Sequence, residues 1–101
     1  MQFNKLIRDN IPSIVQRHGG IAVTHVAGDE EYRMKLREKL QEEVDEFLES
    51  ENPEELADIM EVIFALADHL EVSRSALEEL RAAKGAERGA FRERLILDET
   101  R

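Results

Sequence analysis

Two carboxylate pairs on either side of a short break constrain this chain more than any other feature. Residues 42–58 read E-E-V-D-E-F-L-E-S-E-N-P-E-E-L-A-D. Ser50-Glu51-Asn52-Pro53 interrupts two helical patterns. Each pattern carries acids at i, i+3: Glu43 and Glu46 before the break, Glu55 and Asp58 after it. At about 100° per residue, Leu36, Leu40, Val44 and Phe47 form a stripe at roughly 0°, 40°, 80° and 20°. Glu43 falls at roughly −20°, on the core side, and Glu46 at the edge near −80°. In the second helix Ile59, Ile63, Leu66 and Leu70 make the stripe, Glu55 projects between Val62 and Leu66, and Asp58 lies on the flank. A hairpin with a short loop packs antiparallel, so the two pairs can converge. Four carboxylates on one seam repel each other and are costly to desolvate. A hard divalent cation removes that cost, and oxygen-only ligation suits Mg²⁺ or Mn²⁺.

An acidic run on a helix is ordinarily a solvated face, and that reading suffices for Asp45, Glu49, Glu51 and Glu61. Glu55 also fits a capping box, Asn52-Pro53-Glu54-Glu55. No cap needs Glu43. Spacing by itself therefore leaves the metal site and the solvated face both open. A dinuclear iron bundle requires Glu-x-x-His pairs. The residues three before His18, His25 and His69 are Val15, Ala22 and Leu66, so iron is disfavoured.

At 101 residues the chain makes one domain, 1–101, with a modest core that a helical protein of this size often completes by oligomerising. A net charge of −9 argues against nucleic acid as a partner. With no cysteine there are neither disulfides nor thiolate metal sites. No stretch reads as a secretory signal or membrane span, so a cytoplasmic protein is expected. Charged residues at 37% against aromatics at 5% favour solvated helices over a β-sandwich.

The opening Met1–Asp9 is short and mixed and carries Lys5 and Arg8. Asn10 caps a short helix with Pro12 in its first turn, and Gly19-Gly20 ends it. Ile21–Val26, β-branched and alternating, reads as a strand. Asp29 caps a long helix over about 30–50. Asn52 and Pro53 start the next, which runs to about Glu71. Its I-M-E-V-I-F-A-L-A run is apolar around most of the circumference, which points to burial on two sides and a second subunit. Ser73 or Ser75 caps a third long helix, Ser75 and Glu78 fitting a capping box, and it frays near Gly85 or Gly89. The expected fold is mainly α: an antiparallel helical hairpin or bundle completed by oligomerisation. A short two-stranded β element from about 21–26 and 94–98 accompanies it.

The second constellation is K-G-A-E-R-G-A-F, residues 84–91. Lys84 and Arg88 share a face at i, i+4, and Gly85 and Gly89 let a ligand approach the backbone. One point charge and one fork suit a phosphate chain, although on its own the pair is more simply a basic helix C-terminus complementing the dipole.

E-E-V-D-E followed by E-L-A-D resembles the E-E-x-x-E … E-x-x-D signature of the all-α nucleoside triphosphate pyrophosphohydrolases, the MazG-like superfamily. N-K-L-I-R-D-N-I-P at residues 4–12 and the late K-G-A-E-R-G-A-F resemble its small phosphoribosyl-ATP pyrophosphohydrolase-like subgroup. The likeness covers nearly the whole chain. Eight residues separate Glu46 from Glu55, a minimal hairpin without an inserted substrate loop. The resemblance implies hydrolysis of a nucleoside triphosphate to the monophosphate and pyrophosphate. Glu43, Glu46, Glu55 and Asp58 would hold Mg²⁺. Glu42 would orient water or a second metal, and Glu46 or Glu42 would take the proton. Lys84, Arg88, Lys5 and Arg8 would bind phosphates, in a homodimer or homotetramer. Two alternatives accompany it: phosphoribosyl-ATP as substrate, and a non-catalytic helical oligomer that binds metal or nucleotide. Tyr32, Phe47 and Phe91 can stack on a base or serve the core, so base specificity is not legible.

Overall fold

A computed structural model describes residues 4–101; Met1 to Phe3 of the opening lie outside the described residues. Four helices follow in order: α1 Ile11–Arg17, α2 Asp29–Ser50, α3 Pro53–His69 and α4 Arg74–Arg88. No helix is long and apolar enough to cross a membrane.

Helices α2 and α3 form the hairpin that the Ser50–Pro53 break predicts. Asn52 is the N-cap of α3, its side chain accepting from the Glu54 amide at 2.9 Å, and Pro53 takes the first helical position. The turn needs a left-handed residue, and Glu51 supplies it at φ 53°. Leu36 of α2 is 1% exposed and packs the seam with Val62 of α3. Tyr32 near the start of α2 meets His69 at the end of α3 edge-to-face, ring centroids 5.6 Å apart. The hairpin is therefore antiparallel over most of its length.

Helix ends depart from expectation where a competing group won. Gly28 occupies the N-cap of α2, and Asp29 falls in its first turn with Glu30 and Glu31, complementing the helix dipole instead of capping. Asn10 sits at the N-cap of α1 in a helical conformation and makes no side-chain cap bond. Helix α3 stops two residues before the expected Glu71. Glu71 adopts φ 61°, and the Val72 and Glu71 amides donate to the Ala67 and Asp68 carbonyls, which is a Schellman closure with a glutamate in the position glycine usually takes. Ser73 caps α4, accepting from the Ala76 amide at 3.1 Å. The Ser75–Glu78 box does not form: Ser73 holds the N-cap and Ser75 lies within α4, while Glu78 accepts from Arg81 Nε at 2.8 Å. At α1 the Gly19-Gly20 stop is as expected: Gly19 is left-handed, and a Cβ on Gly20 would lie 2.8 Å from Val15 Cγ1.

The two-stranded pair expected from 21–26 and 94–98 does not form within the chain. Both stretches run without regular structure, and Ile21, Val23, Val26, Leu95, Ile96 and Leu97 are all exposed. An isolated strand pair is marginal without a third strand or a packing surface, and neither segment has one here. The molecule is correspondingly extended. Its radius of gyration is 17.9 Å, against about 13 Å for a compact domain of this length. Helix α4 buries no residue fully and is anchored at its start, where the Arg74 guanidinium lies 4.1 Å over the Phe64 ring.

Candidate metal centre on the helical hairpin

The hairpin brings Glu43 of α2 against Glu55 and Asp58 of α3, with one carboxylate oxygen from each within 4.8 Å of the others. Among the described residues this is the one cluster of three acidic or metal-ligating side chains. Glu43 is the buried member, its side chain 9% exposed, as its place on the apolar stripe requires. Lys39 Nζ lies 3.2 Å from Glu43 Oε1, but Oε2 is buried with no hydrogen-bond partner. An unpartnered carboxylate oxygen in an apolar wall is costly. A cation at this point would satisfy it, and so the donor set fits a hard divalent ion.

Electrostatics agrees with the geometry. Burial pushes the Glu43 carboxyl above its ordinary range, Lys39 opposes the rise, and the charges of Glu46 and Asp58 add to it. Glu55 is likewise raised, by desolvation first, then by the charge of Glu46, then by a hydrogen bond to Asp58 that favours its protonated form. Neighbouring carboxylates that resist joint ionisation are the arrangement a dication relieves. The capping role available to Glu55 is taken elsewhere. Ser50 Oγ accepts from the Asn52 amide at 3.1 Å, the bond a capping-box glutamate would make. Glu55 is thus left to the cluster.

The other expected residues fall into three groups. Glu46 is exposed and stands beside the cluster, close enough to raise both Glu43 and Glu55 but not among the three converging carboxylates. Glu42 is held by Lys39 at 3.5 Å and Lys5 at 3.6 Å. Arg8 donates from Nη2 to Asp58 Oδ1 at 2.6 Å. The two N-terminal cations therefore sit on the acids of the hairpin. Lys84 and Arg88 lie on exposed α4, and no α4 residue lines the groove that contains Glu43 and Asp58.

That groove, about 610 Å³, runs between residues 6–14 and the α2–α3 seam, with Tyr32, Leu36 and Val62 forming its apolar wall. Phe91 is 97% exposed and far from any core role. Lys39 is a member of the candidate site that the carboxylate motif did not single out. Its signal was present: a lysine four residues before the buried glutamate, on the same helix face.

The fold and the site together define a mainly helical protein with a candidate divalent-cation centre on a two-helix hairpin. No family model matches the chain, and neither a curated protein nor a solved structure matches it.

Proposed function

We propose that this chain is a Mg²⁺-dependent nucleoside triphosphate pyrophosphohydrolase. The observation that carries the reading is the convergence of Glu43, Glu55 and Asp58, one of which, Glu43, has a buried carboxylate oxygen without a partner. Such a centre would hold Mg²⁺ or Mn²⁺ through these three side chains, with Glu46 close by. The bound ion would supply charge neutralisation at phosphate oxygens.

The chain's own residues then divide the work. Glu46, exposed at the cluster's edge, would accept a proton from the attacking water. Glu42, already engaged by two lysines, is the weaker candidate for that step. Attack at the α-phosphorus would release pyrophosphate, and the groove beside the cluster is wide enough to seat a nucleotide. Lys84 and Arg88 would reach the leaving phosphates from a second subunit, since their own α4 does not line the groove.

Assembly is part of the proposal. Leu56, Met60 and Ile63 lie on one face of α3 at i, i+4, i+7 and are 47%, 53% and 38% exposed. A homodimer or homotetramer burying that face would complete the core, and 21–26 and 94–98 would gain a surface on which to pair. A cytoplasmic role in removing non-standard nucleotides is in keeping with this chemistry.

The test is pyrophosphate release from canonical and modified nucleoside triphosphates and from phosphoribosyl-ATP, with Mg²⁺, Mn²⁺ or EDTA. Metal-dependent monophosphate and pyrophosphate production is the expected result. Turnover confined to phosphoribosyl-ATP would move the substrate assignment. No turnover together with metal binding would favour the non-catalytic binding module.

A further inference from the structure

Residues 4–10 have no regular secondary structure, yet they are fixed across the hairpin at two points. Lys5 reaches Glu42 on α2 at 3.6 Å, and Arg8 reaches Asp58 on α3 at 2.6 Å. Between and around these pairs Leu6 and Ile7 are half-buried in the same groove that contains Glu43 and Asp58. The segment thus lies over the carboxylate seam, tied to α2 through Lys5 and to α3 through Arg8.

Arg8 and a dication compete for the same acid. Asp58 gives an oxygen to the guanidinium at 2.6 Å, and it is also one of three carboxylates whose oxygens gather within 4.8 Å. An ion seated among them would stand within a few ångströms of the guanidinium and repel it. Arg8 is half-exposed and sits on irregular chain, so it can leave without disturbing a helix. Once off Asp58, it is a bidentate fork at the mouth of a groove, a shape that matches a phosphate.

We infer that Arg8 is an exchangeable counterion: it holds Asp58 until a divalent cation arrives, then transfers to the substrate's phosphate chain. Metal loading would thereby uncover the groove and deliver a phosphate-binding arginine in one step. This rests on reading Glu43, Glu55 and Asp58 as a cation site.

The experiment is Mn²⁺ binding to the full chain without nucleotide, followed by electron paramagnetic resonance of free Mn²⁺, in wild type, Arg8→Gln and Asp58→Asn. Removing a half-exposed competitor should tighten Mn²⁺ about three- to fivefold in Arg8→Gln. The same variant should bind inorganic tripolyphosphate in the presence of Mn²⁺ about tenfold more weakly. Amide exchange of residues 5–10 in the wild type should quicken when Mn²⁺ is added. Equal or weaker Mn²⁺ binding in Arg8→Gln, with the wild type binding normally, overturns the exchange and leaves the metal centre standing. Absence of Mn²⁺ binding in the wild type overturns the cation site itself, and the exchange with it.

Discussion

Lys39 lies 3.2 Å from one oxygen of Glu43, while the other is buried without a hydrogen-bond partner in a side chain that gathers with Glu55 and Asp58 of α3. A single buried side chain is therefore half compensated from its own helix and half exposed to repulsion from the next. This makes Glu43 the residue where stability and the proposed function conflict most directly.

Glu43→Gln should separate the two. The amide keeps the shape and removes the charge, and Lys39 retains Glu42 at 3.5 Å. Metal-dependent turnover should fall by about 100-fold or more, beyond what loss of a supporting residue around a metal causes. Helical content by circular dichroism should be unchanged, and stability without metal should rise. Retention of near-full activity would remove Glu43 from the ligand set.

The pH dependence follows from the raised carboxyls. A folded-state pKa above the unfolded one stabilises the fold below the unfolded pKa and loses that contribution as pH rises through the folded one. Glu43 and Glu55 are both raised from 4.5. In EDTA, their contribution to thermal stability should be greatest below about pH 4.5 and should decline above it. Mg²⁺ or Mn²⁺ should reverse that decline near neutrality. A site with metal at 100 times its Kd gains about 2.7 kcal/mol. Each kilocalorie is worth about 4–8 °C in Tm for a domain of this size. Thermal melts at pH 4.5, 6 and 7.5, with and without metal, read both effects, and the metal increment should shrink toward acid.

Glu71 is held at φ 61° just past the C-cap of α3, where a negative charge is disfavoured by the negative end of the helix dipole. Glu71→Gly should relieve both costs. The expected gain is about 0.5–1 kcal/mol, measured by urea denaturation, with no change in metal binding. Asn52→Ala at the other end of α3 should lose about 1 kcal/mol, because the Glu54 amide loses its acceptor.

The proposed oligomerisation rests on the exposed apolar face of α3. The monomer mass is 11.6 kDa, and light scattering should return at least twice that. Met60→Glu places a charge in the middle of the Leu56–Met60–Ile63 face. It should shift the species toward monomer and reduce turnover, leaving Mn²⁺ binding at the cluster within about threefold, because Met60 is not among the three ligating residues. A wild type that is monomeric at micromolar concentration would contradict the proposed assembly.

The hairpin was legible in the sequence, and the reason is local. A cap and a proline at Asn52-Pro53 act within one turn, and the 3.6-residue stripe through Leu36, Leu40, Val44 and Phe47 turns Glu43 inward whatever else the chain does. The i, i+3 acids of each helix share a side for the same reason, so Glu43, Glu46, Glu55 and Asp58 could be named as a group, of which Glu43, Glu55 and Asp58 converge. Several further features depend on distances that no period along one helix encodes. Arg8 rests on Asp58 fifty positions away. Ser50, rather than Glu55, accepts from the Asn52 amide. The β-branched stretch at 21–26 finds no partner, because strand pairing requires a neighbour that propensity cannot supply. Sequence by itself determined which side chains each helix turns toward the seam; only the packing of one helix on the other, and of the N-terminal segment over both, decided which of those charges meet.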